Sequence, residues 1–318
     1  MDKSMKKVIK VVQADTAPFN LTWIINNICT NQCSYCPPAL HNGTNHNYDW
    51  ENARRFFKEL FVRYPKIHCS VAGGEPSLSP FLRELVGTFK ENNSTIGITS
   101  NAAKPVSYWA EISEYLNYIS FSWHAEFIDK NFREKVMAAA MNTAVTVRVM
   151  MHTQHWERSV EEYESWKDNK YVFLEPVRAL NWNSSAVDPK SYTYTPEQEE
   201  WFENNRIPQK HIYHLPKHVF PDLEAKFYFD DGTVDPRPNI VTLINNGQTN
   251  FKGYKCEAGL KEMFIDWRGK VYLANCQSGG AIGTINEPEK VRWPTAPIIC
   301  DKNQCHCSSD VVINKWIE

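Results

Sequence analysis

"NICTNQCSYCPP", residues 27–38, places Cys29, Cys33 and Cys36 within eight residues, separated by three residues and then by two. A structural zinc site or a cubane iron–sulfur cluster normally takes four protein ligands. Three thiols on one tight loop can hold three corners of a cubane. Either a fourth ligand comes from elsewhere, or one metal position stays open to a substrate or cofactor. The spacing alone also admits a zinc knuckle completed by a distant Cys or His, and simple burial of three inert cysteines.

The rest of the chain narrows these readings. Its nine cysteines are odd in number and gather towards the two ends. In a reducing compartment that pattern favours metal ligation over a disulfide framework. A formal net charge of −2 creates no basic field for nucleic acid. Lys10 interrupts the apolar run of "MDKSMKKVIKVV", and no later run approaches a membrane span. The expectation is a soluble, cytoplasmic protein. Apolar residues at 42% allow a substantial core.

Outward from the loop, strand and helix patterns alternate. "LTWIINN" (21–27) is a strand running into the cysteines. "YDWENARRFFKELFVRYP" is a helix with Asp49 as N-cap, Ala53, Phe57, Leu60 and Phe61 on one face, and Pro65 as its stop. "IHCSVAGG", "TIGITSN", "NYISFSWH", "AVTVRVMM" and "YVFLEP" give five more strands. Between them fall "SPFLRELVGTFKENN", with Phe81, Leu82, Leu85, Val86 and Phe89 inward, and helices near 105–117, from Phe132 and over "WERSVEEYESWKDN". Such alternation predicts an α/β fold with a parallel sheet of right-handed βαβ units. Periodicity does not separate a doubly wound sheet from an open barrel. In both, the site lies where strands end at their carboxyl side, so the cysteine loop, "GGEP", "SN" and "WH" converge on one rim. After about residue 180 the regularity fails, with one helix expected after Thr195 and a hairpin at "AKFYFDDGTVD".

With "GGEP" at the end of the second strand, the loop resembles the signature of the radical S-adenosylmethionine (radical SAM) superfamily. The resemblance implies a partial (β/α)6 TIM-like barrel over 20–180, preceded by an extension, 1–19, and followed by a connecting region, 181–250. It implies a [4Fe-4S] cluster on Cys29, Cys33 and Cys36, with Tyr35 before the third cysteine and S-adenosylmethionine (AdoMet) on the open iron. Gly73, Gly74, Glu75 and Pro76 match the motif that meets the methionine ammonium, and the glycines permit close backbone approach. Ser100, Asn101, Ser122 and Arg148 fall where the family makes ribose and carboxylate contacts. The expected chemistry is reductive cleavage of AdoMet to a 5′-deoxyadenosyl radical that abstracts hydrogen from substrate, with a flavodoxin- or ferredoxin-type reductant.

Residues 251–318 resemble the shortened auxiliary-cluster extension called Twitch, related to SPASM. "MFIDWRGKVYLANC" is the expected hairpin, with Gly269 in its turn. Cys256, Cys276, Cys300, Cys305 and Cys307 are the candidate ligands of one auxiliary [4Fe-4S] cluster, one more than a closed cubane needs. The closeness of Cys305 and Cys307 makes Cys300 the least expected on geometry, while a C-x4-C-x-C tail in the family keeps it in the set. A zinc ribbon is the alternative, and His306 would suit it.

Relatives with the short extension act on sugars, nucleotides and peptides. No peptide-recognition module precedes the first strand, which leans the expectation towards a small molecule. Cys69 reads as a buried thiol, with a hydrogen-atom donor of an epimerase as the sharper alternative. His124, His152 and His155 lie near strand ends where they could face substrate, and each reads first as a structural histidine; Glu175, at the end of the sixth strand, could touch the ribose or the substrate. "HIYHLPKH" (211–218) lacks the pairing of a metal site. A peptide-modifying enzyme or epimerase, and a non-catalytic zinc protein, complete the alternatives.

Overall fold

The computed structural model describes residues 6–43, 48–181, 190–205, 225–236 and 238–317. The stretch 211–218 lies outside the described residues. In chain order come β1 (Val8–Gln13), β2 (Phe19–Ile24), α1 (Trp50–Arg63), β3 (Ile67–Ala72), α2 (Leu82–Glu91), β4 (Thr95–Ser100), α3 (Val106–Ile112), β5 (Tyr118–Trp123), α4 (Phe132–Ala140), β6 (Ala144–Met151), α5 (Trp156–Trp166) and β7 (Phe173–Arg178). From β2 to β7 strand and helix alternate, as the sequence pattern predicts. The helix after Thr195 is present at Pro196–Asn204, closed by a Thr195–Gln198 capping box.

Two compact units divide the chain. The first comprises 1–23, 48–69 and 221–318, and the second 24–47 and 70–220.

In the first unit, β1 pairs antiparallel with Ala225–Phe229, which turns back through Gly232 to Val234–Asp235. β1 also pairs with Lys315–Trp316, so the amino-terminal segment is an integral strand of this unit. The short strand Lys255–Cys256 lies between Lys315–Trp316 and Ile298–Ile299. β2 runs parallel to Glu262–Ile265, which forms an antiparallel hairpin with Lys270–Tyr272, and Ala281–Thr284 follows. Gly269, at φ +76°, makes the hairpin turn, a conformation costly for any other residue. Asp266 accepts the Arg268 and Lys270 N–H groups there. α1 begins at Asp49, whose carboxylate accepts the Asn52 N–H at 2.9 Å. Its buried face is Trp50, Ala53, Phe56, Phe57 and Leu60. Phe56, absent from the sequence-derived stripe, stacks on Trp293, and Phe61 is only half-buried.

In the second unit, β4, β5, β6 and β7 lie side by side in chain order, each neighbouring pair parallel. α2 buries Leu82, Leu85, Val86 and Phe89, while Phe81 precedes its first turn and is half-buried. One face of the sheet is apolar, with Ile98, Ile119, Phe121, Val145, Val147 and Val149 buried. Each such side chain is worth about 1.5–3 kcal/mol of burial. The other face carries Thr99, Ser120, Ser122, Thr146 and Arg148 in alternation. Parallel sheets are usually apolar on both faces, so a polar face is a departure that suits a ligand.

Candidate active site

The carboxyl ends of the strands are clamped together by Asn26, the first of the two asparagines after β2, which the strand pattern of 21–27 includes. Its side-chain N–H donates to the Glu75 carbonyl at 3.0 Å, and its Oδ1 accepts the Ile28 N–H. Its own carbonyl accepts the Gly74 N–H, and the Ile28 carbonyl accepts the Glu75 N–H at 2.7 Å. A Cβ on Gly73 would stand 2.6 Å from the Asn26 carbonyl oxygen, and one on Gly74 2.4 Å from that of Ile28. The two glycines therefore let "GGEP" lie against the chain that enters the cysteine loop.

Glu75 is fully buried and turned inward. Its carboxylate accepts the Ser77 N–H (2.9 Å), the Ser100 hydroxyl (2.8 Å) and the Asn101 N–H (2.7 Å). Burial pushes its pKa up, and these donors oppose the rise. Asn101 then reaches the loop: its Nδ2 donates to Cys29 Sγ at 3.4 Å and to Thr30 Oγ1 at 3.2 Å. Its Oδ1 is buried and without a hydrogen-bond partner among the described residues. Leaving a buried acceptor unmade costs about 1–3 kcal/mol, so a donor from a bound ligand fits there.

Burial raises all three loop thiols, Cys33 to about 12 and Cys36 to about 11. The charged neighbours acting on them are Glu75 at Cys29, Glu126 at Cys33, and one another, all opposing ionisation. A bound cationic metal centre is what would convert such a set to thiolates.

Tyr35 is buried beside Cys33, and its hydroxyl bonds to His124 Nδ1. His152 Nδ1 accepts the Gln154 N–H, so its Nε2 carries the proton donated to Ser34 Oγ at 3.3 Å. The Ser34 N–H donates to Glu126. The histidines that sequence reading set aside as structural thus brace the cysteine loop from behind. Their pairing with Tyr35 and Ser34 spans some ninety residues or more and has no local signal. His155 stacks near His152. Ser122, Arg148 and Glu175 are register partners across β5, β6 and β7, on the polar face. Arg148 Nε pairs with Glu175 at 2.7 Å. Cys69 is fully buried.

Residues 23–170 match the family described as Radical SAM superfamily. This stretch is a radical SAM domain. Among solved structures, the chain is similar to native anSMEcpe with bound AdoMet, at 17% identity and TM-score 0.50, over 85% of this chain and 79% of that one. It is also similar to native anSMEcpe with bound AdoMet and Cp18Cys peptide, at 16% identity and TM-score 0.50, over 84% and 77%. At such identities the likeness speaks for the fold. A search of curated proteins finds no matching sequence. A radical SAM domain implies a [4Fe-4S] cluster and AdoMet. Three clustered thiols, with the Asn101 Oδ1 acceptor beside them unpartnered among the described residues, fit that pair.

Beyond the radical SAM domain, the first unit holds the other five cysteines, all free. Cys256, Cys276, Cys300 and Cys305 line one small pocket together with Asp310 and Lys315. Cys307 is not part of that lining, and its Sγ lies 3.1 Å from Ser309 Oγ. His306 is exposed. Among the described residues, no three His, Cys, Asp or Glu side chains are gathered around a single-ion position.

Proposed function

We propose that the protein is a radical SAM enzyme that cleaves AdoMet reductively and uses the 5′-deoxyadenosyl radical to take a hydrogen atom from its substrate. The observation that carries the reading is the bonded chain from Glu75 through Asn101 to Cys29, which ties "GGEP", the end of β4 and the cysteine loop into one rim. When bound, the [4Fe-4S] cluster supplies the electron that breaks the AdoMet carbon–sulfur bond, chemistry no side chain performs alone. Cys29, Cys33 and Cys36 hold it, and Tyr35 packs against Cys33. The Gly73 and Gly74 backbone offers acceptors to the methionine ammonium. Asn101 Oδ1, Ser100 and Ser122 serve the ribose and carboxylate groups, and Arg148 adds a cation on the same polar face.

The pocket of C-terminal cysteines holds an auxiliary [4Fe-4S] cluster in this reading, in a Twitch-like module over 251–318. It takes up or relays electrons, giving a net oxidation or a rearrangement. Substrate is a peptide or a small molecule. The solved neighbour that carries a peptide together with AdoMet favours the peptide. The reading takes the setting as cytoplasmic, with a flavodoxin- or ferredoxin-type reductant; among the described residues, no helix is long and apolar enough to cross a membrane.

The test is anaerobic reconstitution, reduction, addition of AdoMet and measurement of 5′-deoxyadenosine. The wild-type chain produces it and Cys33→Ala does not. Normal turnover by Cys33→Ala would overturn the reading.

A further inference from the structure

Lys315 looks like a surface residue in the sequence "VINKWIE" but is 2% exposed. Its ammonium donates to the carbonyls of Asp310, Val311 and Ile313, and it lies over the Phe251 ring. Among the described residues no carboxylate pairs with it. Asp310, the carboxylate in the same pocket lining, spends its oxygens on the Asn275 N–H, the Asn275 amide and the Cys276 N–H. A buried charge without a counter-charge is costly, and neutral carbonyls only soften the cost.

The missing counter-charge has a place. Lys315 is the register partner of Cys256 on adjacent antiparallel strands, so both side chains project from the same face. That face is the pocket lined also by Cys276, Cys300 and Cys305. Cys307 is not part of that lining. Its partner Ser309 donates to Glu262, and Glu262 and Asp310 share the Asn275 amide.

Resting on the auxiliary-cluster reading above, we propose that Cys256, Cys276, Cys300 and Cys305 form a closed four-thiolate cage, that Lys315 is its buried counter-cation, and that Cys307 is not a ligand. Four protein thiolates leave no iron open, so this centre exchanges electrons and does not bind substrate. A cation lining the same pocket stabilises the more negative, reduced form, and so raises the reduction potential.

The experiment uses the full chain with Cys29, Cys33 and Cys36 all changed to Ala, which isolates the second centre. After anaerobic reconstitution, iron, acid-labile sulfide and zinc are measured, then the midpoint potential by spectroscopic titration. About four irons and four sulfides per chain are expected. Cys307→Ala keeps them, and Cys305→Ala or Cys300→Ala loses them. Lys315→Met keeps the iron and moves the midpoint to lower potential. A role only as a cap for the preceding helical turn would lower stability and leave the potential in place. Zinc without sulfide, or no metal, in the parent would overturn the auxiliary-cluster reading itself. A cluster that survives in the parent but is lost in Cys307→Ala, while Cys300→Ala keeps it, overturns the cage assigned here. An unchanged midpoint in Lys315→Met removes the counter-cation.

Discussion

The two cysteine-bearing regions solve opposite problems. The loop at 29–36 draws its three thiols from one short stretch and surrounds them with carboxylates, Glu75 and Glu126. The pocket in the first unit draws its thiols from segments around 256, 276, 300 and 305, and its lining adds Lys302 and Lys315 together with one carboxylate, Asp310. A contiguous loop can be held from one side only, which leaves the opposite side for a ligand. A cage gathered from separate segments closes on all sides and cross-links the chain that supplies it. On the assignments proposed above, ligand number would be set by topology: one loop would give an open site, several segments a closed one.

The largest effect is expected where the open site is braced. Glu75→Ala strands the Ser77, Ser100 and Asn101 donors in a buried position. Loss of about 3 kcal/mol of stability is expected, with 5′-deoxyadenosine formation abolished. Denaturant unfolding of the apo chain checks the first and the cleavage assay the second. A variant as stable as wild type would mean that the rim does not depend on this carboxylate, and the contrast with the cage would lose one side.

Next in size is the cross-linking of the closed site. Removing the loop cysteines should leave the thermal midpoint of the reconstituted protein nearly unchanged, because they join no distant segments. Cys276→Ala should lower it by the equivalent of about 2–4 kcal/mol, the scale for closing long loops by a cross-link. Equal losses in both variants would erase the distinction between a one-loop and a many-segment site.

How far these regions were legible follows from the same contrast. Cysteine spacing, "GGEP", the strand ends and the Asp49 cap are local patterns, and the structure places β2 to β7 and α1 to α5 where they predict. The pairing of β1 with 225–229 and 315–316 joins residues hundreds of positions apart, so the periodicity of 8–13 carries no trace of it. Lys315 escaped for the same reason, since its burial comes from strands that meet only in the fold. Asn26 lies inside the strand pattern of 21–27, and the Tyr35–His124 bond joins residues 89 positions apart, so neither contact has a local signal.

A smaller effect sharpens the picture of the open side. Asn101→Ala removes the donor to Cys29 and the unpartnered Oδ1 together. AdoMet affinity should fall about tenfold, equivalent to ~1.4 kcal/mol, with iron content unchanged. Equilibrium dialysis with AdoMet against the reconstituted chain measures it. Loss of iron instead would move Asn101 from ligand binding to the support of Cys29.

The smallest effect concerns Arg148, which faces two claims on its charge. The Arg148–Glu175 pair is well exposed, 41% and 50% at the side chains, so solvent screens it. Arg148→Ala should therefore change stability by no more than about 0.5 kcal/mol. If the guanidinium also serves the AdoMet carboxylate, the same substitution weakens AdoMet binding several-fold, and Glu175→Gln, which frees the cation, tightens it. Opposite shifts from the two variants place Arg148 at the open site. Equal affinity in both would leave it to Glu175 alone and confine AdoMet recognition to the rim built by "GGEP" and Asn101.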